Sequence, residues 1–328
     1  MSTALKSPLG RHFKLLSLLR FALPSIGMMI VISLYTVTDG IFIGRFAGSD
    51  ALAASNIVYP AINFVLGLAI MMASGGSALV AKNLGEGNPT AARRRFSMLA
   101  VVTASIAGLL ALLAFLAGDE LFFLLGSSES LLADCRAYLY ALLPFYPFAA
   151  LMILFNAFFI ADGRPTQGFI VSILAGLTNA VLDYLFLAHF GLGIAGAGLA
   201  TGIADLLAAI IGITYFFRYS RLLRFTTPSL EWRALGQTMY NGSSELVTQL
   251  SVGITTFLFN IITFQYAGAD GVAAISVILY AEMLLTSVYM GFVTGTAPIF
   301  SYHFGARSFA ELLRLVKLSL AVIAGFAL

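Results

Sequence analysis

Charge is what this sequence has least of. Lysine, arginine, aspartate and glutamate make up 10% of its 328 residues, against about 25% in an average soluble domain. With 60% hydrophobic residues, a soluble fold could not hide its apolar surface. That excludes a soluble enzyme, a disordered chain or a nucleic-acid-binding domain as a description of the whole. Cysteine is nearly absent too: Cys135 stands alone, so this sequence offers neither an intrachain disulfide nor a multi-cysteine metal site. The three histidines, His12, His189 and His303, fall near three different predicted helix ends and do not converge as metal ligands must. HExxH, GxxxxGKS/T and GxSxG are missing, so ATP-driven transport and familiar hydrolase chemistry lack support, and no cofactor is expected.

What is present is a series of apolar runs of about 20 residues or more, which suits helices crossing a hydrocarbon core of about 30 Å rather than barrel strands. Helices are predicted over 15–42, 51–82, 96–118, 136–160, 166–188, 194–217, 238–264 and 271–303, with a ninth beginning near 316. The first apolar run, 15–37, is too long for the h-region of a cleaved signal peptide, about 7–15 residues. The basic residues set an orientation. If the loops alternate sides, 16 of the 18 Lys and Arg share the N-terminal side, leaving only Arg45 and Arg136 opposite. The positive-inside rule then puts the N-terminus in the cytoplasm. Topology also suffices to explain the Arg93–Arg95 run and the formal charge of +3.

An internal repeat organises the chain. Shifted by 220, FAGSDALAA (46–54) falls on YAGADGVAA (266–274), Gly75 on Gly295, Gly85 on Gly305 and Arg94 on Arg314. Six predicted helices precede the repeat point, an even number, so both copies enter the membrane from the same side. The expected fold is all-α and polytopic: two six-helix lobes related by a parallel repeat, residues 1–220 and 221–328, as in some secondary transporters. Two full copies need about 440 residues, and position 328 maps onto Gly108. The second lobe is therefore expected to be incomplete, short of its last three and a half helices.

Five carboxylates fall within or near the predicted spans: Asp39, Asp183, Asp205, Glu245 and Glu282. A carboxylate in a membrane is costly unless neutralised or paired, so each is a functional candidate against the alternative of an interfacial residue near a helix end. Asp39 shares a stripe with Ser33 and Thr36, and its repeat counterpart is Phe259, so the packing does not require it. Asn179 and Asp183 stand four apart on the fifth helix, and Thr201 and Asp205 repeat that spacing on the sixth between Gly198 and Gly202. Carboxylate, amide and hydroxyl oxygens suit a hard cation. The same group suits a proton, since burial and a neighbouring like charge both hold a carboxyl protonated. Pro24, inside the first helix, and Pro144 and Pro147, inside the fourth, remove backbone donors and favour bends. Tyr35, Met71, Tyr138 and Phe155 are candidates to line an adaptable cavity.

DGIFIGRFAGSDALAA (39–54), NAVLD (179–183) and GIAGAGLATGIAD (193–205) resemble the multidrug and toxic compound extrusion (MATE) transporters, in the right order over essentially the whole chain. GSSELVTQLSVGITTFLFN (242–260) is similar to the bacterial branch related to DNA-damage-inducible and staphylococcal drug-efflux members. The resemblance implies twelve helices, a central cavity open alternately to each side, and a monomer in a bacterial inner membrane. It also implies export of lipophilic organic cations against inward Na⁺ or H⁺. By the same resemblance, Asp39, Asn179, Asp183 and Thr201 form the cation or proton site, with Na⁺ at Asp39, Asn179 and Asp183, while Pro24 and Asn156 match supporting positions. Two positions depart from the family pattern. Asp205 stands where members often carry an amide. Gln249 stands where many carry a glutamate, with Glu245 one turn earlier as a substitute for a second-lobe site. The competing readings are a flippase for a lipid-linked saccharide, whose cavity should be rich in cations, and a non-transporting membrane scaffold.

Overall fold

The computed structural model describes residues 7–327, with side chains between 253 and 280 described only in part. Phe259 and much of the 266–274 motif fall among the side chains outside the described set. The chain runs through α1 (Leu15–Phe42), α2 (Ser49–Gly85), α3 (Pro89–Ala117), a short α4 (Asp119–Leu124), α5 (Leu132–Leu142), α6 (Tyr146–Ala161), α7 (Pro165–Asp183), α8 (Gly193–Thr214), α9 (Trp232–Gly305) and α10 (Phe309–Ala327). Among the described residues there is no strand, and seven helical runs are long and apolar enough to cross a membrane. The molecule is a multi-pass, all-α membrane protein.

Local chemistry explains where the elements depart from the hydropathy reading. Asn88 caps α3 by accepting the Ala91 N–H at 3.0 Å, and Pro89 occupies the first turn. The helix therefore starts before the three arginines rather than after them. Pro144 and Pro147 split the fourth predicted helix: α5 and α6 join through a tight 3₁₀ turn at Leu143–Phe145. Pro24 is carried inside α1. The last helix begins at Phe309 rather than near 316; Glu311, Arg314 and Lys317 interrupt its apolar run, so the hydropathy signal gathers only further along.

The seventh and eighth predicted helices form one helical run, α9, of 74 residues. A straight rod of that length would measure about 110 Å. It does not run straight, since both its ends pack on α2: Gly242 lies against Met71, and Gly305 against Lys82. The run folds back between them, giving two limbs that flank α1 and α2.

Backbone detail reproduces the 220-residue repeat. Glu86, Gly87 and Asn88 donate to the carbonyls of Lys82, Leu84 and Asn83 at 2.9, 3.1 and 2.9 Å. Ala306, Arg307 and Ser308 donate to those of Tyr302, Phe304 and His303 at 2.9, 3.1 and 3.0 Å. Each bond in one set is the other displaced by 220. Both caps pass through a left-handed residue, Gly87 at φ +74° and Arg307 at φ +54°. The packing is exchanged by the same operation. Gly75 meets Gly242 while Gly295 meets Ala22, and Gly85 meets Tyr302 while Gly305 meets Lys82. The two halves thus pack about an approximate two-fold axis, as a parallel repeat requires. These crossings bring backbones together through glycine, the usual device for close helix approach in membranes.

The segment between α8 and α9 is tied to the first half. Asp162, at the end of α6, is 6% exposed. It accepts from Tyr215 Oη at 2.7 Å, Ser220 Oγ at 2.8 Å and the Leu223 N–H at 3.1 Å. Arg93 donates to the carbonyls of Leu222 and Arg221 at 3.0 and 2.7 Å, and Ser97 Oγ accepts the Thr226 N–H at 2.9 Å. Phe225 stacks into a cluster with Phe96, Phe155 and Phe216. Phe155 is therefore a core side chain, 1% exposed, rather than a cavity wall. Burial pushes the Asp162 carboxyl above the ordinary aspartate range, partly offset by its three donors. On the same face the N-terminal segment grips α10. His12 Nδ1 lies 3.0 Å from Glu311 Oε2, and Arg314 donates to Glu311 Oε1 at 2.8 Å and to the Phe13 carbonyl.

Candidate functional site

Four of the sequence-predicted residues meet where α1, α7 and α8 pack together. Asn179 Nδ2 donates to Thr201 Oγ1 at 3.2 Å, joining α7 to α8. Asn179 is 2% exposed and Asp183, one turn further along the same face, is 0% exposed. Asp39 on α1 is half-buried, and its carboxyl neighbours that of Asp183. Both carboxylates sit next to changes in helix geometry. Asp183 is the last α-helical residue before a wide π turn at Tyr184–His189, and Asp39 lies just before another at Ile43–Ala47. Such π segments recur at functional sites, where a widened turn re-aims a side chain.

Among the described residues the pair lacks donors: Asp183 Oδ1, Asp183 Oδ2, Asp39 Oδ1 and Asn179 Oδ1 are buried there with no hydrogen-bond partner. Two ionised carboxylates offer only acceptors to one another, so this contact closes only around a proton or a cation. Tyr138 of α5 is buried in the same half, and Tyr35 of α1 lines a small cleft together with Asp205.

The other predicted residues are placed around this centre rather than in it. Asp205 borders a small cleft with Tyr35, Ser172, Asn179 and Thr201, and the surface open to that cleft is apolar. Asn156, 6% exposed, lies on α6 with Oδ1 unpartnered. Among the described residues it makes no hydrogen bond to the carboxylate pair. Pro24 lies about four turns below Asp39 on α1, next to the crossing of Gly291 with Ser25 and Ile26. Gln249 and Leu246 back onto Gly67 of α2, which puts Gln249 at the contact between the halves. Glu245 is half-buried on the same limb and Glu282 is exposed on the other. Met71 belongs to the core at the Gly242 crossing. Ser172 escaped the sequence reading although it stands seven residues before Asn179, on the same face. A lone serine in a membrane helix usually bonds its own backbone and so gives no signal.

The structure is thus that of a polytopic membrane protein built as a repeat, with a pair of intramembrane carboxylates inside its first half. The MatE family model matches residues 24–185. The multidrug export protein MepA of Staphylococcus aureus strain NCTC 8325 is 24% identical over 315 residues, covering 94% of this chain and 69% of that protein. Its Staphylococcus saprophyticus counterpart is 23% identical over 293 residues, covering 88% of this chain and 64% of that protein. Among solved structures, a MATE in the straight conformation superposes with a TM-score of 0.88 at 21% identity, over 98% of this chain and 71% of that one. The outward-facing conformation of a multidrug resistance MATE family transporter of the MOP superfamily gives 0.87 at 21% identity, over 97% and 69%. The chain is thus similar to MATE transporters in sequence over residues 24–185 and in fold over nearly its whole length, and the proteins it resembles are transporters rather than enzymes.

Proposed function

We propose that this protein is a secondary antiporter that exports cationic, lipophilic compounds in exchange for inward Na⁺ or H⁺. It works in a bacterial inner membrane with its N-terminus in the cytoplasm. The observation that carries this reading is the neighbouring Asp39–Asp183 pair, whose buried acceptor oxygens have no donor among the described residues. A Na⁺ or a proton entering between them supplies the missing positive charge. Asn179 and Thr201 bring further oxygens to the same point, a set suited to a hard cation. Filling the site draws α1 toward α7, and the bend at Pro24 lets the two ends of α1 move separately. That movement reshapes the space between the halves and lowers affinity for the exported cation on the outer side.

The matched MepA proteins carry the name multidrug export protein, which supports the substrate class. The 16 basic residues sharing the N-terminal side support the orientation. A lipid-linked saccharide flippase would need cationic side chains at mid-membrane, where carboxylates stand here. The test is efflux of a cationic dye in everted vesicles, comparing an imposed Na⁺ gradient with an imposed pH gradient. Acceleration by either gradient, abolished in Asp183→Asn, is the expected result. Efflux indifferent to both gradients would overturn the reading.

A further inference from the structure

The arginines on the basic side of the molecule are not used alike. Arg93 donates to the carbonyls of Leu222 and Arg221, and Arg95 pairs with Glu231 at 3.1 Å and donates to Asn83. Between them Arg94 is exposed. Its counterpart under the 220-residue shift, Arg314, is taken up by Glu311 and the Phe13 carbonyl. The contacts that pin the segment between α8 and α9 draw more arginines to the same place. Arg218, Arg221 and Arg224 bracket Ser220 and Leu223, both bound to Asp162. Arg164 follows Asp162 by two residues, and Arg233 follows Glu231 by two. All five are exposed. Among the described residues neither they nor Arg94 form an ion pair.

The acids of this surface are already engaged: Asp162 is buried under three donors and Glu231 is held by Arg95. No acid occurs over 87–118, 163–182 or 206–230. Topology asks for basic residues on one side, but not that they gather where acids are missing. The surface also borders hydrocarbon. Arg94 heads an exposed stripe of α3 that continues through Val101, Leu112 and Leu116, and Arg218 follows the exposed Thr214 and Ile210 of α8. Phe96 and Phe216 join these two helix ends, with ring centroids 4.7 Å apart. Trp232, 73% exposed, and Tyr219, 69%, stand beside the arginines as aromatic residues do at headgroup level. A cationic surface that meets an apolar one fits a ligand with an anionic head and apolar tails, and the guanidinium fork suits a phosphate better than an ammonium does. We propose that Arg94, Arg218 and Arg221 bind the headgroup of an anionic phospholipid in the leaflet on the basic side, with its acyl chains along α3 and α8. Arg94 belongs to α3 and the other two to the segment joining the halves, so one lipid ties that connection to the first half.

Trp232 is the chain's only tryptophan, so its fluorescence reports on this surface alone. The purified, monodisperse protein is reconstituted in phosphatidylcholine bilayers and quenched with dibrominated phosphatidylglycerol or dibrominated phosphatidylcholine. The brominated phosphatidylglycerol is expected to associate at least about fivefold more strongly. In Arg94→Gln/Arg218→Gln/Arg221→Gln that preference should fall to about one, and in Arg94→Gln alone by roughly twofold. Lys14→Gln/Arg20→Gln/Lys317→Gln removes the same charge from the N-terminal segment, α1 and α10, and should keep the preference in full. Equal quenching by the two lipids in the unsubstituted protein overturns the proposal, as does a preference that survives the first triple variant or falls equally in the second. Millimolar glycerol phosphate should leave the quenching in place; relief would make this a site for a free phosphate ester and overturn the lipid assignment.

Discussion

Asp162 and Asp183 are the same residue type at nearly the same burial, 6% and 0% exposed, and they live in opposite circumstances. Asp162, on the basic side, is met by a tyrosine hydroxyl, a serine hydroxyl and a backbone N–H. Asp183, within the membrane span, is met by another carboxyl and, among the described residues, by no donor. A buried carboxylate whose lone pairs are filled holds a structure together. One whose lone pairs are left open holds a place for something that comes and goes. Burial alone does not separate a structural aspartate from a functional one; the inventory of donors does.

Removing each charge should sharpen this contrast. Asp183→Asn is expected to reduce gradient-driven dye efflux at least about a hundredfold while leaving thermal stability unchanged or raised, since it removes an uncompensated buried charge. Resistance assays and a melting curve on the same preparation check both halves. Next, Asp39→Asn should cost as much as Asp183→Asn, with little further loss in the double variant, because the two carboxyls act on one ion. If each single variant keeps substantial efflux and their losses add, the sites are independent and the comparison breaks.

Asp162→Asn should do the reverse: efflux per folded molecule persists, and stability falls by about 1–3 kcal/mol as an amide N–H₂ is turned toward donors. Chemical denaturation in detergent reads that loss. The smallest effect is in pH. The Asp162 carboxyl sits above its ordinary range because burial penalises its charge. The folded state then binds its proton more tightly than the unfolded state does. Its contribution to stability is complete below the ordinary aspartate value of about 4 and declines as pH rises through the higher folded value. That decline should be missing from the Asp162→Asn profile, and an identical slope in both proteins would place the titration elsewhere.

The two aspartates were unequally legible in sequence. Asp183 stood out because its span is apolar and Asn179 shares its face. Asp162 sits in ADGRP (161–165), which reads as an ordinary turn. Its partners come from residues 215–223, more than fifty positions away, and no local pattern announces them. The repeat, by contrast, was readable from one constant offset, and the twin caps at 86–88 and 306–308 carry it down to single hydrogen bonds. The site centre was readable for similar reasons: Asp39, Asn179, Asp183 and Thr201 are polar residues in apolar runs. The cleft beside it was readable only in part: Tyr35 and Asp205 are candidates from sequence, whereas Ser172 is unremarkable in any membrane helix. Continuity of α9 was hidden as well. Hydropathy dips around 265–270, whereas helical hydrogen bonding depends on backbone geometry and can continue through a polar stretch.

The glycines at the crossings have a consequence for the balance between states. At Gly85 and Gly305, a side-chain carbon would land on the backbone carbonyls of Tyr302 and Lys82, which cannot move aside as a flexible side chain can. A methyl group there acts as a wedge at the basic-side end of the molecule. It leaves each half intact and penalises only the arrangement in which the two ends touch. Since a ligand or mutation shifts an equilibrium only by its differential effect on the two states, Gly305→Ala would change how long the transporter dwells in each orientation without touching an ion ligand. The repeat makes Gly85→Ala its equivalent. Two sites far apart in sequence thus form one control on the resting population, set by the thickness of a single carbon atom.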